Sequence, residues 1–300
     1  MRLGTRTSAL AWTQSSGVAA LIGADVELVG IKTSGDALVD TPLTGPLTKG
    51  WFTGEIEAAL RAGTIDLAVH SLKDLPVADS PGLVVGATLK RGPVADLLLI
   101  RPDAYDRTAS VLPLRTGARV GMSSPRRQAI LSALRPDCAP AFLRGNVPTR
   151  IERLQSGRYD AIVLAEAGVW RLGPAAGIAP STQIIRLNPD VWVPAPGQGA
   201  LAVQCRADDT ATVARLAALN DGETSRAVAT ERAMLTQLGQ GCSVPFGALV
   251  RGESWVVGLG GGAGFRVRTG QGTGIGAAVA ALKAGEAGEG PFSEVCDVGP

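Results

Sequence analysis

The stretch Asp66-Leu67-Ala68-Val69-His70-Ser71-Leu72-Lys73-Asp74-Leu75-Pro76 decides how the rest of the chain is read. Leu67 to Val69 is a short apolar run of the kind a buried parallel strand shows, and it gives way at once to an imidazole, a hydroxyl, an ammonium and a carboxylate. Open α/β sheets receive ligands just beyond the carboxyl ends of their strands, so polar groups gathered there are placed to meet one. Lys73 and Asp74 are therefore the first candidates for chemistry, although adjacent opposite charges are more often an ordinary surface ion pair. His70 is the chain's single histidine. With no metal partners it reads as a hydrogen-bonded structural residue rather than a base or ligand.

Upstream, Leu3-Gly4 ends a first strand, Ser8 caps an Ala-rich helix from Ala9 to Ile22, and Val26 to Ile31 is a second strand. A Pro/Gly/Thr-rich loop from Leu38 to Gly50 precedes a helix over Glu55 to Ala62 that Gly63 stops. Downstream, Leu83 to Ala87 and Asp96 to Ile100 return to strands. Then come a strand over Ala118 to Met122, a helix with Ser124 as N-cap and Pro125 at its first position, and a strand over Ala141 to Leu143. A helix from about Pro148 to Gln155 and a strand over Asp160 to Leu164 follow.

Ile56 to Val69 resembles Ile151 to Val163 with one residue deleted, each running helix, Gly stop, Asp, buried strand. Two β-α-β units built alike imply two α/β lobes facing across a cleft. The expected fold is α/β, with two lobes around a cleft and a small α+β C-terminal domain. Residues 1–94 with 194–212 form the first lobe, 95–193 the second, and 213–300 the C-terminal domain carrying Cys242. The Gly/Pro-rich Pro194 to Gly199 is the second crossover, so the chain passes twice between lobes.

With 300 residues, 45% hydrophobic and 19% charged, the chain is globular and large enough for two or three cores. A net charge of +2 points away from nucleic-acid or membrane-surface partners, and the basic residues are mostly Arg, which suits bidentate carboxylate or phosphate recognition. Met1 to Arg6 lacks the apolar core of a signal peptide, and no window approaches the roughly 20 apolar residues of a membrane span. A soluble cytoplasmic protein is expected. Cys138, Cys205, Cys242 and Cys296 are too far apart for a zinc site or disulfide framework.

Three turns share one design: Gly4 to Ser8, Gly121 to Arg127, and Leu143 to Arg150. Each follows a strand, opens a helix, and adds hydroxyls and arginine to the helix's free N–H groups, making an anion site. For any one of them a capped helix with solvated arginines is the simpler reading; three together favour anions. The runs Gly260-Gly261-Gly262 and Gly270 to Gly276 lack the strand and acidic residue of a dinucleotide fingerprint and read as hairpin and helix entry. Cys242 is by default inert packing, but its Gly- and Pro-rich setting is that of an accessible thiol.

Taken together, these residues resemble the hydroxymethylbilane synthase (porphobilinogen deaminase) family. The matching motifs are Gly4 to Ala11, Thr33-Ser34-Gly35-Asp36, Ala68 to Pro76, Ser123 to Gln128, Arg144 to Arg150, Pro196 to Ala200 and Gly241 to Pro245, in family order. The resemblance implies condensation of four porphobilinogen molecules into the linear tetrapyrrole hydroxymethylbilane with release of ammonia, in haem biosynthesis. It also implies a dipyrromethane cofactor held by a thioether at Cys242. Each pyrrole carries acetate and propionate groups, so the growing chain is a polyanion suited to the arginine-bearing turns.

By the same resemblance Asp74 matches the catalytic aspartate. Lys73, Ser71, Ser124, Arg126, Arg127, Arg144, Asp36 and Gln198 match cofactor-binding positions. Arg6, Ser8, Gln14, Arg144, Arg150, Arg171 and Lys49 match positions that bind substrate. A carboxylate accepting pyrrole N–H bonds as positive charge develops on the ring nitrogens is electrostatic catalysis. No metal is implied; a monomer is, with periplasmic-binding-protein-like α/β lobes.

The chain departs from the family's usual Thr at Met122, Leu at Pro125 and Gly at Gln240, and from a lysine common where Gly54 stands. The rival reading is a non-catalytic two-lobed protein closing on a small anion. Cys242 and the absent export signal argue against it.

Overall fold

The computed structural model describes residues 1–34, 53–78, 80–238, 244–261, 264–285 and 296–297. They fall into two compact units, one within residues 1–92 and 197–226, the other within 93–196 and 227–300.

In chain order the first unit has β1 (Arg2–Arg6), α1 (Ala9–Ile22), β2 (Glu27–Ile31), α2 (Gly54–Arg61), β3 (Leu67–Ser71) and β4 (Leu83–Thr88). The second unit takes β5 (Asp96–Ile100), β6 (Arg119–Met122), α3 (Pro125–Leu134), β7 (Ala139–Phe142), α4 (Val147–Gln155), β8 (Ala161–Ala165), α5 (Glu166–Leu172) and β9 (Gln183–Leu187). The chain then returns to the first unit with β10 (Leu201–Arg206) and α6 (Thr210–Ala217). After α7 (Gly222–Gln237) come β11 (Phe246–Arg251), β12 (Ser254–Gly261), β13 (Gly264–Gln271), α8 (Ile275–Ala284) and the short β14 (Cys296–Asp297).

The first sheet is ordered β2-β1-β3-β10-β4, with β1, β2 and β3 parallel and the returning β10 antiparallel to both neighbours. The second repeats this scheme as β14-β9-β5-β8-β6-β7: β6, β7 and β8 are parallel, and the entering β5 is antiparallel to β8 and β9. The expected two-lobed α/β fold is what forms, and residues 227–300 cluster with the second unit. α5, β9 and α6 were not foreseen, because each is short and none carries a full apolar period.

Local chemistry explains the elements that position the site. Ser8 Oγ accepts from Ala11 N at the start of α1, and Asn146 Oδ1 from Thr149 N at the start of α4, each relieving an orphan helix donor. Burying Leu3, Val18, Leu67, Val69, Val203 and Leu216 joins α1, α6 and the first sheet. In the second unit Leu98, Val120, Ile130, Val163 and Trp192 share one core with Leu249, Val256, Phe265 and Val267 of the antiparallel β11-β12-β13 sheet. That sheet packs backbone to backbone on the 193–194 segment: Ala248 N donates to Pro194 O at 3.0 Å. A Cβ on Gly247 would lie 2.7 Å from Val193 O, so only glycine allows this approach.

Candidate active site

In the first unit, a turn of 3-10 helix over Leu72–Asp74 follows β3 directly. Leu72 and Leu75 are buried, pinning the turn, while Lys73 is half-buried and Asp74 exposed. Lys73 Nζ donates to Gln198 Oε1 at 3.2 Å. Gln198 is fully buried, and its backbone oxygen accepts from Arg91 Nε at 2.9 Å, so the ammonium rests on a fixed acceptor. Gly197 sits at φ +75° and a Cβ there would come within 3.2 Å of Leu72 Cγ, which ties the Gln198 turn to the Lys73 turn.

Arg6 ends β1, the parallel neighbour of β3, and Ser8 caps the helix that follows. Gln14 on that helix is buried, with Nε2 3.3 Å from Ser71 Oγ at the end of β3. The structure thus gathers Arg6, Ser8, Gln14, Ser71, Lys73, Asp74 and Gln198 at one end of one sheet. Strand direction and register do this, as the sequence pattern required.

His70 is buried on β3, with Nε2 3.0 Å from Gln204 Oε1 on β10. Burial pushes its pKa down to about 4, against the raising effects of the Gln204 bond, Glu57 and Asp74. It is a neutral structural histidine at pH 7, as its lack of metal partners suggested. Among the described residues no cluster of three or more potential ligands could hold a metal ion.

In the second unit, Ser124 and Pro125 occupy the expected N-cap and first positions of α3, but the Ser124 side chain makes no capping bond. The next two residues behave unlike a solvated anion site. Arg126 and Arg127 are buried, and both bind the fully buried Asp96 of β5: Arg127 Nη2 to Oδ1 at 2.6 Å, and Arg127 Nε and Arg126 Nη2 to Oδ2, each at 3.0 Å. Trp192 Nε1 donates to the same Oδ2 at 3.0 Å. Arg144 is buried ahead of α4, and Arg150 Nε donates to Gly145 O at 2.7 Å. Desolvation lowers the pKa of Arg144 and of Arg171 on α5 from the ordinary guanidinium value.

Asp96 and Trp192 were missed by the sequence reading. The signal for Asp96 was present: a carboxylate heading the apolar run Leu97 to Ile100 is buried only if paired. Asp36, Lys49 and Cys242 lie outside the described residues.

Residues 1–214 match the family model described as porphobilinogen deaminase, dipyromethane cofactor binding domain. The chain belongs to the porphobilinogen deaminase family. It is 44% identical over 255 residues to the porphobilinogen deaminase of Trichlorobacter lovleyi, covering 83% of this chain and 78% of that protein. The porphobilinogen deaminase of a Roseiflexus species is 45% identical over 256 residues, covering 84% and 81%. Among solved structures, an arginine-specific periplasmic binding protein of Salmonella typhimurium is 14% identical with a TM-score of 0.41, covering 79% of this chain and 97% of that one. That likeness is too low to carry weight.

The described residues of this porphobilinogen deaminase family member fit a polyanionic pyrrole group. Arg126 Nε is buried without a hydrogen-bond partner, and desolvation holds that guanidinium below its ordinary pKa against the opposing pull of Asp96. A ligand carboxylate would offset both penalties.

Proposed function

We infer that the protein is a transferase that condenses four porphobilinogen molecules into linear hydroxymethylbilane, releasing ammonia, in porphyrin and haem biosynthesis. The observation that carries this reading is the family match over residues 1–214, which contains every described candidate residue. Family membership also disfavours the alternative of a non-catalytic anion-binding protein.

Asp74 is the catalytic carboxylate of this reading: exposed at the end of a pinned turn, it is available to accept pyrrole N–H bonds and oppose positive charge as it develops on ring nitrogen. Lys73, held by Gln198, and Arg6 with Ser8 recognise acetate and propionate groups in the first unit. Arg126, Arg144, Arg150 and Arg171, with Ser124, do so in the second, and Arg127 belongs to the same cofactor site. Charge-assisted bonds of this kind are worth about 1.5 to 3 kcal/mol each. Ser71 and Gln14 steady the end of β3 through their mutual bond.

Cys242 would hold a dipyrromethane cofactor as a thioether, and that group would supply the primer for the product chain. Asp36 is assigned to that group as well, and Lys49 to substrate. Residues 213–300 are read as a third functional domain that presents Cys242, and the protein as a cytoplasmic monomer. No helix among the described residues is long and apolar enough to cross a membrane.

The test is an intact-protein mass with a turnover assay on porphobilinogen. The purified chain is expected to exceed its sequence mass by two pyrrole units and to release ammonia, and Cys242→Ala to abolish both. A chain of bare sequence mass that stays bare and inactive when given porphobilinogen overturns the reading.

A further inference from the structure

Asp96 is the only charged residue of β5, and it is fully buried. A carboxylate in that position survives only if paired and hydrogen-bonded. Arg127 meets it as a fork, Nε and Nη2 to the two oxygens, and places Nη1 on Val163 O at 3.0 Å. Arg126 places Nη1 on Val193 O at 2.6 Å and Nη2 on Asp96 Oδ2 at 3.0 Å. Arg126 and Arg127 are thus unequal. Arg127 is braced on the carboxylate and a strand carbonyl; Arg126 shares one oxygen and keeps a buried Nε with no partner.

The charges are unequal as well. Among the described residues two guanidinium groups face one carboxylate: Asp96 pulls on Arg126 and Arg127 opposes it. Among the described residues Arg126 keeps one buried N–H without a partner, and its charge is only shared in the Asp96 carboxylate; one further carboxylate would supply the missing acceptor and negative charge.

We propose that Asp96 is a positioning residue for ligand recognition: it clamps Arg127 and, through the oxygen shared with Arg126 and Trp192, holds Arg126 ready for one carboxylate of the pyrrole ligand. This rests on the deaminase reading and deepens it by dividing the arginine pair into a contact, Arg126, and a brace, Arg127. Three donors on one oxygen fix the angle between the two guanidinium planes, and in a water-excluded site such preorganisation acts in full. A purely structural ion pair would stabilise the core without caring where Arg126 is held.

The test follows pyrrole uptake by intact-protein mass after full-length protein, made in a host lacking porphobilinogen, is mixed with porphobilinogen; thermal unfolding is recorded in parallel. Asp96→Glu keeps the charge but shifts the carboxylate by one methylene. It is expected to unfold near the native midpoint yet load at least about tenfold more slowly, as an ångström-scale misplacement implies. Native-rate loading in folded Asp96→Glu overturns the inference.

If Asp96→Glu does not fold, Trp192→Phe decides, because it removes one donor from Oδ2 and alters no charge. Loading slowed severalfold in folded Trp192→Phe supports positioning, and native-rate loading overturns it. An unsubstituted chain that takes up no pyrrole overturns the deaminase reading and this inference with it, and is told apart because it precedes any substitution.

Discussion

The Asp66 carboxylate accepts the backbone N–H of Arg2 at 2.8 Å, while Asp66 N donates to Arg2 O at 2.8 Å. Asp160 repeats the arrangement with Arg119, at 2.7 and 2.9 Å. Each aspartate precedes a central parallel strand and stitches it to the first residue of its parallel neighbour, β1 in one unit and β6 in the other. Each is also ion-paired, Asp66 with Arg2 and Arg206, and Asp160 with Arg115. The internal likeness of 56–69 to 151–163 therefore has a physical core: the same stitch made twice.

That stitch predicts an acid limb of stability. Burial raises both carboxyls, but the N–H and guanidinium partners outweigh it and leave both below the ordinary 3.8. The unfolded chain binds protons on these groups first, so their contribution is present above the unfolded pKa and is lost as pH falls through the folded values. Thermal midpoints measured from pH 7 to 2 should drop below about pH 4, and Asp66→Asn with Asp160→Asn should flatten that drop.

His70 titrates in a separate window. Its folded pKa of about 4 lies under the ordinary 6.5, so the unfolded chain takes up the proton first and stability declines as pH falls from about 6.5 to about 4. The loss is up to about 3 kcal/mol. His70→Gln retains a donor for Gln204 and removes the titration. Denaturant midpoints of that variant should be level between pH 7 and 4.5, and turnover should stay within tenfold of native; a larger loss would give His70 a chemical role.

Asp74→Asn removes charge from an exposed side chain, so the thermal midpoint should move by less than a few degrees. Turnover should fall by on the order of 10², the typical cost of losing one preorganised charge-stabilising group. Near-native kcat would remove Asp74 from the mechanism.

Gly197→Ala probes the linkage of the two turns. At φ +75°, with Leu72 Cγ 3.2 Å from the added carbon, alanine is strained by about 1 to 2 kcal/mol. Urea unfolding should register that loss. Because the strain falls where Gln198 holds Lys73, KM for porphobilinogen should rise as well.

The elements around the first-unit site were legible because local chemistry settles them. Ser8 before an Ala-rich segment gave the bounds of α1, and the buried run ending at Val69 gave the position of Lys73 and Asp74. The Ser124 turn was legible in backbone only. Its serine makes no cap bond, and Arg126 and Arg127, which sequence adjacency suggests are two equal anion binders, are made unequal by a carboxylate 30 residues away.

The sequence by itself determined the α/β alternation, the doubled helix-Gly-Asp-strand unit and the placement of polar residues at strand ends, because these follow from periodicity, capping and turn chemistry within about a dozen residues. Only the tertiary structure decided which charges meet. Asp96, Arg127 and Trp192 come from β5, α3 and the segment after β9, and pairing across such separations is set by sheet order and core packing, to which local pattern is blind. Burial then makes the pairing obligatory, since a lone buried charge costs several kcal/mol.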